Sequence, residues 1–330
     1  MDHPYLMFLG DVADQLAAKT ADGIVYWRAE WCVGQVRLDG CAADVRLPDM
    51  SIEEGAKLGA KTMVIGVANS GGFLPDHWIA SITRALELGM DVASGLHVRL
   101  SDIEPIRLAA EKYGRSLFDA RHPTRSFATG TGVKRTGKRM LAVGTDCSVG
   151  KMYTALAVEK EMLARGMKAA FRATGQTGIF IAGDGVSVDA VVADFISGSV
   201  EWLSPDVDAD QWELIEGQGS LFHPAFAGVS LGLLHGAQAD ALVLCHEPTR
   251  QHMRGLPQQP LPGLKECIDL NLATARLTNP NAKFVGVSVN TSHLDQAAAA
   301  AYLDKTEQEL GLPCVDPHTT GVGRLVDAMS

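Results

Sequence analysis

MLAVGTDCSVGKMYTAL, residues 140–156, is the stretch on which the fold reading turns. Met140–Val143 is a short apolar run that predicts a buried strand, and 151–165 predicts an amphipathic helix carrying Leu156 and Leu163 on one face. Between them, Gly144 and Gly150 let the backbone curl so that several N–H groups face one anion. The helix N-terminus adds its dipole, and Lys151 adds a point charge. Strand, glycine loop, lysine and helix in that order predict a phosphate-binding P-loop. Its members are Gly144, Thr145, Asp146, Cys147, Ser148, Val149, Gly150, Lys151 and Met152.

The spacing has one residue more than GxxxxGK[ST] and resembles the loop of dethiobiotin synthetase and its relatives. There a Thr follows the Lys and its hydroxyl holds Mg²⁺. Here Met152 stands in that place, and a thioether is a poor ligand for a hard cation. Thr154 lies further along the helix and is expected to point elsewhere. The loop therefore suits the holding of a phosphate-bearing cofactor, such as coenzyme A or a dinucleotide, better than triphosphate cleavage, and no metal is expected. A carboxylate or water that restores the metal is the alternative. Cys147 is either a small residue fitting the curl or a nucleophile activated by the helix end.

Outward from the loop, strands alternate with helices, which implies parallel sheets. On the C-terminal side, strands are expected at Lys168–Ala173, Trp212–Ile215, Asp240–Cys245 and Lys283–Val289, with a helix at Asp189–Phe195. On the N-terminal side, strands are expected at Tyr5–Leu9, Thr62–Ala68 and Asp91–Ser94, a helical turn at Gln15–Lys19, and helices at His77–Leu88 and Ile103–Tyr113. Asn69-Ser70-Gly71-Gly72 and Ser94-Gly95-Leu96-His97 are strand-end loops that offer a nucleotide site, an ordinary turn or a cleft wall. Residues 120–137 lack apolar periodicity and read as a linker, whose basic residues are solvated or reach over a phosphate. The expected fold is α/β in two domains: a Rossmann-like parallel sheet over 1–130 and a P-loop-NTPase-like parallel sheet over 131–330.

Ligands of open α/β sheets bind beyond the carboxyl ends of the strands, so the clusters there are the candidate site. Arg172 offers a fork for a carboxylate or phosphate, or a surface ion pair. Gln176 follows it in RATGQTG. Glu216 ends an apolar strand, where desolvation suits it to act as a base; the alternative is a magnesium or outer-sphere ligand. His223 is either a proton acceptor or a hydrogen-bonded structural residue. Asp184 and Asp189 flank Gly185, where they suit a substrate amine or a metal; the alternative is a helix cap made by Ser187 and Asp189. Arg250, in HEPTR, is expected to face the same crevice.

The 330 residues carry a formal net charge of −10, which argues against nucleic acid as a partner. With 46% hydrophobic and 21% charged residues, the composition is that of a globular protein. No run approaches the roughly 20 apolar residues of a membrane span. The start, Met-Asp-His-Pro-Tyr, lacks the features of a signal peptide. The six cysteines form no CxxC pair, so a reducing cytoplasm is expected.

The chain resembles the family labelled domain of unknown function 1611 along nearly its whole length. The likeness rests on GTDCSVGKMYTAL, RATGQTGI, DGVSVDAVVADF, IEGQGSLFHPAF and LCHEPTR, and extends to Gly10-Asp11 and Trp27–Trp31. The resemblance implies a Rossmann-like domain followed by a P-loop domain. It also implies acetyl transfer from acetyl-CoA to the amino group of D-glutamate or related D-amino acids, with an epimerase as pathway partner. On this reading Lys151 holds a CoA phosphate, Arg172, Gln176 or Arg250 binds the substrate, and Glu216, His223 or Asp184 handles the proton. A homo-oligomer is expected at this size. The rival classes are an ATP- or GTP-dependent ligase or kinase, and a nucleotide sensor or NAD-dependent oxidoreductase.

Overall fold

The structure is a computed structural model that describes residues 1–67, 73–123 and 125–329. It divides into two compact units: Met1–Thr124 with Gln176–Ala190, and Arg125–Gly175 with Val191–Ser330.

The first unit holds strands β1 (Tyr5–Gly10), β2 (Cys32–Arg37), β3 (Thr62–Ile65), β4 (Asp91–Ser94) and β5 (Leu117–Asp119). They form a five-stranded sheet in the order β2-β1-β3-β4-β5, every pair parallel. Helices α1 (Lys19–Arg28), α2 (Ile52–Lys57), α3 (Ile79–Glu87) and α4 (Glu104–Tyr113) make the crossovers. All six residues of β1 are buried, as a strand covered on both faces requires. The loop Asn69–Gly72 singled out above lies outside the described residues.

The second unit is built on β6 (Lys138–Gly144), β7 (Ala169–Arg172), β8 (Trp212–Ile215) and β9 (Ala241–His246). A hairpin of β10 (His252–Met253) and β11 (Leu256–Pro260) follows, then β12 (Lys283–Val289) and β13 (Cys314–Val315). The main sheet is six-stranded and parallel, in the order β13-β12-β9-β6-β8-β7. From β6 the chain first builds one side of the sheet, then crosses to β9 and builds the other. The crevice between the carboxyl ends of β6 and β9 is thus the topological switch point. Helix α5 (Lys151–Ala164) leads from β6 to β7.

After β7 the chain leaves this unit. Helix α6 (Gln176–Ala182) and the residues up to Ala190 group with the first unit, where α6 packs against α1. There the Tyr5 hydroxyl donates to the Phe180 carbonyl at 3.4 Å. The helix expected at Asp189–Phe195 does not form. Two single 3₁₀ turns, Val188–Ala190 and Ala193–Phe195, stand in its place. The β-branched pair Val191-Val192 separates them, with Val192 extended at φ −57°, ψ 136°. Helices α7 (Ile196–Leu203), α8 (Ala227–Ala237), α9 (Leu264–Ala275), α10 (Gln296–Leu310) and α11 (Gly323–Met329) complete the second unit.

The stretch expected as a linker is partly tied down. Glu201 accepts from the backbone of Thr131 and Gly132, and Asp206 from Thr136. Two of its basic residues are engaged away from the P-loop. Lys134 pairs with Asp240 and Arg135 donates to Gly236 and Ala237, beside the amino end of β9. The fully buried Arg139, second residue of β6, donates to the carbonyls of Arg135, Thr136, Gly137, Ser204 and Pro205. A cation is tolerated inside because carbonyl oxygens replace its water.

At the other end of the sheet, Gly217 passes so close to β6 that a Cβ there would lie 1.7 Å from the Ala142 carbonyl oxygen. Gly217→Ala is therefore expected to destabilise the protein by more than about 2 kcal/mol, read as a lower denaturant midpoint. An unchanged midpoint would show that β8 and β6 can separate freely.

Candidate functional site

The P-loop is held in shape from both ends. Gly150 caps α5 at φ 103°, a left-handed conformation that favours glycine. Ser148 is also left-handed, at φ 54°. The Thr145 N–H donates to Cys245 at 3.1 Å, extending the β6–β9 ladder, and its hydroxyl meets His246 Nδ1 at 3.1 Å. Val149 packs with Ala142 and Cys245 below the loop.

Asp146 is 0% exposed and organises the rest. Its Oδ1 accepts from Cys147 N at 2.6 Å, and its Oδ2 accepts from Arg250 Nη1 and from Arg254 N, each at 2.7 Å. Arg250 also donates to the Cys147 carbonyl at 2.6 Å and to that of Ser148 at 3.4 Å. Lys151 folds back over the loop and donates to the Asp146 carbonyl at 2.8 Å. Burial pushes the Lys151 pKa down, opposed by neighbouring thiols and by the carboxylates of Asp146 and Glu216. Cys147 is half-buried, and burial raises its thiol pKa despite Lys151 nearby. That does not favour a reactive thiolate.

Glu216 follows β8 on the same edge. Its Oε2 accepts from Thr174 N at 3.0 Å and Gly175 N at 3.1 Å. Burial raises its pKa to about 7, against the lowering effect of those two N–H groups and Lys151. Met152 is half-exposed on the first turn of α5. Thr154 points into the core, donating to the Gly150 carbonyl at 3.0 Å and meeting the Ser288 hydroxyl at 2.8 Å.

The structure thus gathers Gly144–Lys151, Glu216 and Arg250 at one edge of one sheet. Arg172 stands on the adjacent strand end but forms an ion pair with the fully buried Glu213. His223 is engaged at both ring nitrogens: Nδ1 accepts from Ala225 N at 3.2 Å, and Nε2 lies 3.2 Å from the Arg254 carbonyl. Gln176 and Asp184 belong to the first unit, where Asp184 accepts from the N–H of Gly185 at 2.7 Å. Asp146, Cys147 and His223 bring ligand-type atoms within 4.8 Å of one another. A metal there would have to displace the donors on Asp146 and the backbone partners of His223.

Three participants have no role assigned from the sequence, although Thr174 and His246 lie in the strand-end clusters Arg172–Gly178 and His246–Arg250. Arg254 comes from the hairpin, and the signal for it was a second arginine four residues after Arg250, next to Gly255. His246 is the last residue of a fully buried strand, and burial lowers its pKa to about 4, so it is neutral. Thr174 supplies an N–H to Glu216 and donates its hydroxyl to the Glu216 carbonyl at 2.7 Å.

A family model described as Domain of unknown function (DUF1611_C) P-loop domain matches residues 126–326. Another, described as Domain of unknown function (DUF1611_N) Rossmann-like domain, matches residues 36–123. The chain is 56% identical over 330 residues to a protein of Tritonibacter scottomollicae named D-glutamate N-acetyltransferase, spanning 100% of this chain and 99% of that one. A Pseudoalteromonas sp protein of the same name is 52% identical over 323 residues, 98% of this chain and 97% of the other. A crystal structure of a DUF1611 family protein from Anabaena variabilis matches with TM-score 0.87 and 31% identity, each chain covered to 99%.

The partners of His223 generate a prediction. His223→Ala is expected to cost about 2 kcal/mol in chemical denaturation, because the buried imidazole and its two part-buried hydrogen bonds to the backbone are lost together. The pH profile of turnover should not move. Loss of one limb of that profile would give His223 a proton-transfer role.

Proposed function

The chain belongs to the DUF1611 family, and from that premise we propose that it is an N-acetyltransferase acting on D-glutamate or a related D-amino acid, with acetyl-CoA as donor. The observation that carries the reading is full-length similarity to two proteins of that name. The P-loop supports it, because it keeps its anion nest while Met152 occupies the place of a metal-holding hydroxyl. In the reaction the substrate ammonium loses a proton to solvent base, the freed lone pair attacks the thioester carbonyl, a C–N bond forms and the C–S bond breaks, and the departing CoA thiolate takes up the second proton that the nitrogen sheds. No step needs a metal. The N-acetyl product suits an epimerase as the next enzyme. We place the enzyme in the cytoplasm as a homo-oligomer, its six free thiols suiting a reducing compartment.

Two of the expected roles pull apart in space. Lys151 and Glu216 are close enough to perturb each other's pKa. In CoA, the pantetheine arm separates the phosphates from the thioester. If Lys151 holds a phosphate, Glu216 stands beside that phosphate and away from the reacting amine. We therefore assign Glu216 to the proton balance of the phosphate cradle. Below about pH 7 it is protonated and neutral; above it, the carboxylate opposes an incoming anion.

Acetyl transfer is tested by thiol release from acetyl-CoA with D- and L-amino acids in the presence of EDTA. Turnover with D-glutamate and no added nucleotide is expected; thiol release only with ATP and Mg²⁺ would favour the ligase reading. Lys151→Ala should raise KM for acetyl-CoA roughly tenfold or more and that for D-glutamate much less. For the wild type, KM for acetyl-CoA should rise between pH 6 and pH 8 by up to about tenfold, and Glu216→Gln should flatten that rise. A fall in kcat with an unaltered KM profile would instead make Glu216 the base at the amine.

A further inference from the structure

We propose that Arg254 is an additional phosphate contact beside the P-loop, taking a phosphate of the acyl-CoA nucleotide separate from the one seated on Lys151. The inference rests on the acetyl-CoA reading above.

Charge around the loop is matched group by group. Asp146 is buried and its carboxylate is paired with Arg250. Lys151 is buried, with Glu216 among the groups that act on its charge. Arg254 differs from both. No ion pair is found for it among the described residues, and its guanidinium meets only the neutral Ser148 hydroxyl. It is exposed, on a chain whose net charge is −10. An acidic protein has thus set one uncompensated guanidinium against its anion-binding loop.

Its position is built. The Arg254 N–H donates to Asp146 Oδ2 at 2.7 Å, so the hairpin is anchored to the loop's buried carboxylate. The Arg254 carbonyl meets His223 Nε2 at 3.2 Å, anchoring the same residue to the segment after β8. Backbone anchors on both sides fix where the side chain starts. The guanidinium has five N–H donors in a planar fork, matched to phosphate oxygens. Ser148 turns toward it from a left-handed conformation. An acyl-CoA carries phosphate at two places, the diphosphate and the ribose 3′-phosphate. The backbone nest with Lys151 takes one, and Arg254 takes the other.

The test compares Arg254→Ala and Arg254→Lys with wild type, using acetyl-CoA, 3′-dephospho-acetyl-CoA and acetyl-pantetheine as donors at saturating D-glutamate. Calorimetric titration with CoA itself supplies a readout independent of turnover. Arg254→Ala should raise KM for acetyl-CoA, and weaken CoA binding, roughly tenfold or more with kcat unchanged. The lysine variant should restore only part of this, because it keeps the charge and loses the fork. A defect that disappears with the dephospho donor assigns Arg254 to the 3′-phosphate; one that persists there and disappears with acetyl-pantetheine assigns it to the diphosphate. An equal defect with all three donors, or none with acetyl-CoA, overturns the proposal. If wild-type protein binds CoA but transfers no acetyl group, the parent reading fails while the contact remains measurable.

Discussion

The Asp146 carboxylate is the interaction on which the rest of the site depends. It is dehydrated, and its two oxygens accept from the loop's own backbone, from the turn after β9 and from the β10–β11 hairpin. The loop lies about a hundred residues before the other two segments. A carboxylate without water needs such donors, and donors fixed by backbone hold their geometry better than surface side chains. One acid thus sets the shape of the nest and the position of both arginines beside it.

The same dehydration governs the reactivity of the loop. Lys151 is already out of water, which disfavours its charge, and Glu216 is out of water beside it, which disfavours its own. On the proposed reading, a phosphate arriving there would add counter-charge to the lysine and make the carboxylate harder to ionise. Ligand binding and proton uptake are then linked at one place.

Much of the architecture could be read in the chain because parallel strands covered on both faces become uninterrupted apolar runs, as in β1 and β9. What escaped reading had physical causes. Helix α8, AGVSLGLLHGA, is apolar nearly all round and has no stripe to reveal its period. Helix α6 begins inside a glycine-rich cluster that suggested only a loop. The expected helix at Asp189–Phe195 yielded to the extended preference of paired valines. Of the site, the loop was legible because its residues are contiguous. Arg172 was legible as a cation, but its partner Glu213 lay on another strand and could not be seen. His246 was hidden for a related reason: its partner Thr145 lies 101 positions away.

The excursion of residues 176–190 bears on the ancestry of the protein. Linear boundaries near residue 125 suggest two modules joined end to end, yet the helix packed against α1 is encoded inside the second. A recombination that carried only residues 1–124 into another gene would leave that helix behind and strip Tyr5 of its carbonyl acceptor. An intact first unit therefore needs residues 176–190 as well as 1–124, so no single cut in the chain frees it whole.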